Sequence, residues 1–79
     1  MNHQLKIKSE YFSAVVEGRK KFELRKNDRD YKVGESIEFF EVDDNGNYTG
    51  KKLDRIFIIS YILHGGKYGL EEGYCILGF

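Results

Sequence analysis

The sequence predicts a single α+β domain that is mainly β, with five or six strands forming a small, partly closed barrel and one helix near the N-terminus. Apolar residues alternate with polar ones over several short segments, as is typical of half-buried strands. One early segment carries them at helical spacing instead. Glycine and Asn/Asp turn signals separate the segments, and the chain has no proline. This combination favours a small barrel over a sandwich.

The first two elements are a strand and a short amphipathic helix. Residues 4–8 alternate polar residues with Leu5 and Ile7, which predicts a strand. Ser9 has the chemistry of a helix N-cap, and apolar residues then recur at helical spacing. Gly18 is the expected stop signal of this helix.

The sequence predicts one strand directly after the helix and three more from residue 36 onward. Residues 36–42 are apolar on both faces, which indicates a bulge or two-sided burial. A turn over residues 43–47 follows. Residues 53–63 are apolar on both faces and rich in isoleucine, so we predict one long curved strand there. A glycine-rich loop over residues 65–73 leads to a last strand over residues 74–79.

Charge is balanced over the whole chain but concentrated locally. The 79 residues, enough for one domain, carry 13 basic and 13 acidic side chains. A net charge of zero argues against a protein that coats nucleic acid by bulk electrostatics. Seven basic residues nevertheless fall between positions 19 and 32. This cluster is either a binding patch or a solvated face with internal ion pairs.

The strand directly after the helix begins inside the octapeptide GRKKFELR, which ends at Arg25. Side chains alternate along a strand, so Phe22 and Leu24 share one face while Lys21, Glu23 and Arg25 share the other. We expect the apolar face to pack and the charged face to be presented to a ligand.

The single cysteine and the N-terminal residues indicate a reducing compartment. A single Cys75 allows no intramolecular disulfide, and the N-terminal residues lack the pattern of a signal peptide, so we expect a cytoplasmic protein. The apolar run over residues 56–63 is far shorter than the roughly 20 residues of a membrane-spanning helix. His3, His64 and Cys75 are too few and too scattered to predict a metal site, and no cofactor is expected.

The octapeptide fits the G-x-K-x-x-E-x-R signature of the ASCH group, named for homology to activating signal cointegrator and related to PUA domains. The opening strand and helix, the later hydrophobic strand and the closing GLEEGYCILGF are also similar to a small bacterial and phage branch of that group, catalogued as of unknown function. The resemblance implies a PUA-like pseudo-barrel whose cleft bears the signature residues and accepts RNA or a nucleotide.

That resemblance implies a site built on Lys20, Glu23 and Arg25. Lysine supplies a point charge to a phosphate, whereas arginine makes a two-pronged contact with a phosphate or a guanine edge. Glu23 either accepts a hydrogen bond from a base or holds Arg25 in place. The plainer alternative is that Glu23 and Arg25 only satisfy each other.

Four further residues complete the predicted site. Arg19 and Lys21 add positive charge beside Lys20, while Tyr68 and Tyr74 are candidates for stacking on a base. The expected partner is RNA or a nucleotide-like ligand, and weak self-association is left open.

A nucleoside amidohydrolase is the competing function. Certain small ASCH relatives resemble hydrolases of acylated cytidine that use the signature lysine, a threonine nucleophile and a distant glutamate. Lys20 matches the lysine, and Glu71 or Glu72 would supply the distant acid, but Glu23 occupies the threonine position. A hydrolase here therefore needs another nucleophile, such as water activated by Glu23. This departure favours binding over catalysis.

Overall fold

The chain folds into two small β-sheets, with one helix packed against the larger sheet. The computed structural model describes all 79 residues. Its elements in chain order are β1 (Asn2–Lys8), α1 (Ser9–Val16), β2 (Phe22–Lys26), β3 (Ser36–Val42), β4 (Tyr48–Lys52), β5 (Phe57–Ile58), β6 (Tyr61–His64) and β7 (Tyr74–Gly78). The protein is mainly β with one short helix, which confirms the predicted class.

The four-stranded sheet is built around β3. β1 runs parallel to β3 and pairs with it over its whole length. β4 and β5 run antiparallel to β3 and share its other edge, β5 near the start of β3 and β4 near its end. The register shifts between Phe40 and Val42, an irregularity of the kind expected for a bulge, which was one of the two predicted alternatives for this strand.

The three-stranded sheet has the order β2-β7-β6 and is antiparallel throughout. No backbone ladder joins it to the four-stranded sheet. The two sheets therefore lie on either side of a shared core without closing into a continuous barrel.

The chain passes from one sheet to the other at Ile59 and Ser60. The Ile59 N–H donates to the Glu35 carbonyl, whereas the Ser60 N–H donates to the Gly78 carbonyl of β7. The prediction of one long strand over residues 53–63 is therefore wrong. The chain leaves the first sheet here and enters the second, forming the short strands β5 and β6. Phe57 and Ile59 are buried in the core, whereas Ile56 and Ile58 are exposed.

The strand β4 was not predicted. All five of its residues are exposed, so no alternation of apolar and polar residues marks it in the sequence. The seven strands thus exceed the five or six expected.

The helix ends as predicted but begins differently. Gly18, just past the helix, has the left-handed φ of 79° that glycine adopts without strain. Ser9 is not the N-cap, because Lys8 occupies that position and no side chain caps the helix. The Ser9 hydroxyl donates instead to the Val42 carbonyl at 3.2 Å and ties the start of α1 to the end of β3.

No helix of the structure has the length and hydrophobicity needed to cross a membrane.

The core lies between the helix and the inner faces of both sheets. Phe57 forms an aromatic cluster with Phe39 and Phe79. Its ring centroid lies 5.7 Å from that of Phe39 and 4.8 Å from that of Phe79. Cys75 is fully buried and packs as a small apolar residue, and burial raises the pKa of its thiol. The eleven buried members of the core are Leu5, Ile7, Phe12, Val15, Tyr31, Ile37, Phe39, Phe57, Ile59, Cys75 and Leu77.

Packing leaves no room for a side chain at Gly65. A Cβ there would lie 2.0 Å from the Glu71 carbonyl oxygen and 2.8 Å from that of Tyr74, so the loop backbone would have to move. We expect Gly65→Ala to lower the free energy of unfolding by about 2 kcal/mol, measured by urea denaturation.

Gly78→Ala is the matched control, because its Cβ meets no atom closer than 3.6 Å. It should change the free energy of unfolding by no more than about 0.5 kcal/mol. Equal stability of the two variants would contradict the packing of the β6–β7 loop.

Candidate ligand-binding site

Side chains alternate along β2 as predicted, but the buried face is the opposite one. Glu23 is 8% exposed, whereas Phe22 and Leu24 are 49% and 52% exposed. The prediction that Phe22 and Leu24 pack while Glu23 is displayed is therefore wrong. Period-two alternation separates two faces without deciding which one meets the core. A buried carboxylate is tolerated only where cations and hydrogen bonds replace its water.

Two cations supply those contacts. Lys20 Nζ donates to Glu23 Oε1 at 2.5 Å, and Arg25 Nε donates to Glu23 Oε2 at 3.0 Å. Lys20 Nζ also donates to the Phe22 carbonyl at 2.7 Å. The three charged side chains are only 16%, 10% and 24% exposed. We call Lys20, Glu23 and Arg25 the signature triad.

Arg25 also connects the two sheets. Its Nη2 donates to the Lys6 carbonyl, and Arg29 Nη1 donates to the Gln4 carbonyl at 3.0 Å. Both carbonyls belong to β1, whose other edge is already paired with β3. Two arginines therefore satisfy part of a strand edge where no neighbouring strand lies.

Beside these arginines, a groove of about 790 Å³ opens over the outer face of the four-stranded sheet. Five of its ten lining residues are cationic and none is acidic. We call it the basic groove. It is lined by Gln4, Leu5, Lys6, Arg25, Arg29, Phe40, Tyr48, Gly50, Lys51 and Lys52.

Most of the positive charge in the basic groove is not neutralised. Lys6, Arg29 and Lys51 form no ion pair. Lys52 Nζ lies 2.8 Å from Glu38 Oε2, and the fifth cation belongs to the signature triad. Three unpaired cations in one concavity make a favourable environment for an anion.

Register brings the groove's cations and aromatic rings together. Lys6 is opposite Phe40 on β3, and Phe40 is opposite Lys52 on β4, so the three form one row across the sheet. Lys6 Nζ lies 5.4 Å from the centroid of the Tyr48 ring, which is 63% exposed. Cations beside accessible aromatic faces suit a ligand with both phosphate and ring groups.

The predicted site residues are only partly assembled around this groove. Arg25 lines it, whereas Lys20 and Lys21 line a smaller cavity of about 180 Å³. Glu23 lies between the two, held by the triad contacts. Arg19 is on the surface, where it pairs with Glu17 at 2.8 Å.

Neither predicted stacking tyrosine lies in the groove. Tyr68 is 87% exposed in the β6–β7 loop, with a left-handed φ of 55°. Tyr74 lies on β7 opposite Lys26, on the outer face of the three-stranded sheet. The aromatic residues of the basic groove are Phe40 and Tyr48 instead.

Sequence reasoning missed most of the groove. In the sequence, Lys6 is a polar position between Leu5 and Ile7, and Arg29 is one member of the basic cluster. Neither pattern indicates that the residue belongs to a site. Lys51 and Lys52 follow the turn after β3 without an apolar pattern. Only the register of β1, β3 and β4 joins them.

The structure contains no group of three or more His, Cys, Asp or Glu side chains placed to hold a metal ion.

Fold and site together define a small, mainly β α+β protein with a cationic groove over one sheet. The family described as "Domain of unknown function (DUF3850)" matches residues 2–79, and the chain belongs to that family. It is also 38% identical over 52 residues to a protein of Escherichia phage P2 described as "Uncharacterized 12.9 kDa protein in GpA 3'region". That match covers 66% of this chain and 47% of the phage protein, so the chain matches about half of this curated relative's length.

The triad predicts a large stability difference between two glutamates. Glu23→Gln removes the charge that two buried cations share, and we expect the free energy of unfolding to fall by about 2 kcal/mol in chemical denaturation. Glu17→Gln is the control, because its pair with Arg19 is 2.8 Å long, between the two distances of the triad, but the two side chains are 56% and 64% exposed. The control should cost less than about 1 kcal/mol. Similar losses of unfolding free energy in both variants would show that the partly buried ion pairs of the triad stabilise the fold no more than an exposed pair does.

Acid stability should depend on two carboxyls. A hydrogen bond from His3 holds the pKa of Glu35 below its ordinary 4.5, and one from Lys52 does the same for the pKa of Glu38. A carboxyl whose pKa falls on folding stabilises the native state above its unfolded pKa, and this contribution is lost as the pH drops through its folded pKa. We therefore expect the melting temperature to fall between about pH 5 and pH 3.

Glu38→Gln should make that fall smaller, as measured by thermal melts across the same pH range. Glu72→Gln is the control, since Glu72 is exposed and forms no ion pair. If both variants shifted the acid limb equally, the Glu38–Lys52 pair would not be formed in solution.

Proposed function

We propose that this chain is an ASCH-like domain that binds RNA or a nucleotide-like ligand in the basic groove. One observation carries the proposal: a single concavity holds five cationic and two aromatic side chains and no acidic one. Cations recognise phosphate, and aromatic faces accept the rings of bases.

The groove offers distinct contacts to such a ligand. Arg25 uses Nε for Glu23 and Nη2 for the Lys6 carbonyl, which leaves the other N–H groups of its guanidinium for a phosphate. Lys6 and Lys51 add mobile point charges. Tyr48 presents a ring that is 63% exposed. Glu23 acts through Arg25 as a positioning residue.

The same proposal includes the finer fold: a PUA-like pseudo-barrel that is open between β1 and β2. Two features support it. Arg25 and Arg29 bridge the edge of β1, and the chain passes between the sheets through consecutive hydrogen bonds of Ile59 and Ser60. The sheets are thus connected around much of the core without a full ladder.

The amidohydrolase alternative has less support. Each Glu23 oxygen already accepts a hydrogen bond from a cation, Oε1 from Lys20 and Oε2 from Arg25, and the residue is buried, so a water molecule has little access to it. The Lys20 ammonium acts as a donor in its contacts with Glu23 and Phe22. A base or nucleophile built from this pair would first have to break those bonds.

Salt-dependent binding tests the proposed function. We expect Lys6→Ala and Lys51→Ala to weaken binding to a fluorescent single-stranded RNA about ten nucleotides long, measured by anisotropy. Each lost phosphate contact should also reduce the slope of log K against log salt by about 0.7.

Lys67→Ala is the control, because it removes the same charge from the β6–β7 loop, outside the groove. It should leave affinity and slope close to those of the unaltered protein. If the groove variants behaved like Lys67→Ala, the ligand would not lie in the basic groove.

A further inference from the structure

The outer face of the three-stranded sheet is exposed and has no packing partner. The backbone of α1 lies close only to β1 and β3, and no helix or strand from outside the sheet comes close to the backbone of β2, β6 or β7. These strands meet the rest of the molecule on their inner face, through core residues such as Leu77 and through the Arg25 side chain. Phe22 and Tyr61 are 49% and 67% exposed on this face. Both are large aromatic residues in regular strands, so their exposure calls for an explanation.

Strand register places the two rings on either side of a glycine. Gly78 of β7 is opposite Phe22 on β2 and opposite Tyr61 on β6. Directly opposed residues project from the same face of a sheet, and two strand spacings separate the two aromatic residues by about 9.5 Å. Aromatic rings stack with centroids about 4.5 to 7 Å apart, so a planar ring inserted midway is within stacking range of both side chains when they project straight from the sheet.

The backbone does not require a glycine at position 78. Seven of the nine glycines have a left-handed φ, and a Cβ at Gly65 would collide with backbone atoms. Gly78 has neither property, because a Cβ there would meet its nearest neighbour at an ordinary 3.6 Å. What the missing side chain does provide is an open floor between Phe22 and Tyr61.

The charges around this position favour a ring that carries phosphate. Lys20 Nζ lies 5.0 Å from the centroid of the Phe22 ring. Lys26 lies on the same face of β2 as Phe22 and forms no ion pair. The only charged residue on the face is thus basic, and a second cation borders it. A nucleotide complements this face, because it combines a planar ring with an adjacent negative charge.

We propose that this face is a second contact site, a slot in which one unpaired nucleobase stacks between Phe22 and Tyr61 over Gly78. The inference rests on the proposed function and deepens it, because it identifies the ligand as single-stranded nucleic acid that also reaches beyond the basic groove. Base stacking on exposed aromatics of a sheet is how many single-strand binders hold RNA without reading its sequence.

Two oligomers separate this slot from the groove. One is a fluorescent single-stranded uridine RNA, and the other is an abasic phosphodiester oligomer of the same length, which keeps the charge but offers nothing to stack. The variants are Tyr61→Leu, which removes a ring, and Gly78→Val, which keeps both rings and fills the floor with a side chain that strands favour. Thermal melts check that both variants fold.

We expect each variant to bind the RNA about tenfold more weakly and the abasic oligomer unchanged. The unaltered protein should prefer the RNA by at least the same factor. If folded variants bound both oligomers like the unaltered protein, the slot would be wrong while the groove stood. Binding of neither oligomer by the unaltered protein would instead overturn the proposed function together with the slot. A dimer that becomes monomeric in Tyr61→Leu, with RNA affinity unchanged, would make this face a self-association surface and also overturn the slot.

Discussion

The burial of the Glu23 carboxylate is the constraint on which the other features depend. A charge at this depth needs compensating partners, and Lys20 and Arg25 supply them at 2.5 and 3.0 Å. Satisfying Glu23 turns the polar face of β2 inward, which leaves Phe22 and Leu24 on the outside. It also aims Arg25 at the free edge of β1. The placement of Arg25 in the basic groove and the exposed aromatic face thus follow from one ion-pair arrangement.

The signature residues consequently have different roles. Arg25 reaches the basic groove and binds β1, whereas Lys20 caps the other side of Glu23 beside the small cavity. Glu23 orients both cations, and each of its oxygens already accepts a hydrogen bond from one of them. The motif therefore serves mainly to hold β2 in place against β1. The groove's remaining contacts come from residues far away in sequence, such as Lys6 and Lys51, that β1, β3 and β4 bring together.

The sequence predicted elements whose signal is local and missed those that depend on tertiary context. β1 alternates polar and apolar residues, β3 and β7 are short apolar runs bounded by turn signals, and Gly18 ends the helix through its own conformational freedom, so these were found. Residues 53–63 are apolar on both faces, and sequence alone does not distinguish a two-sided strand from a chain crossing between sheets. The face of β2 was assigned wrongly because hydrophobicity favoured burying Phe22, while the ion pairs that bury Glu23 depend on three-dimensional positions. The groove depends on the register Lys6–Phe40–Lys52, which no local pattern encodes.

A double-mutant cycle between Glu23→Gln and Arg25→Lys tests the central claim most directly. Because Arg25 Nε bonds Glu23 and its Nη2 bonds the Lys6 carbonyl, lysine should not reproduce both contacts. We expect a coupling of about 1 kcal/mol or more between the two substitutions in the free energy of unfolding. Effects that add to within about 0.5 kcal/mol would contradict it, because Glu23 and Arg25 would then stabilise the fold independently.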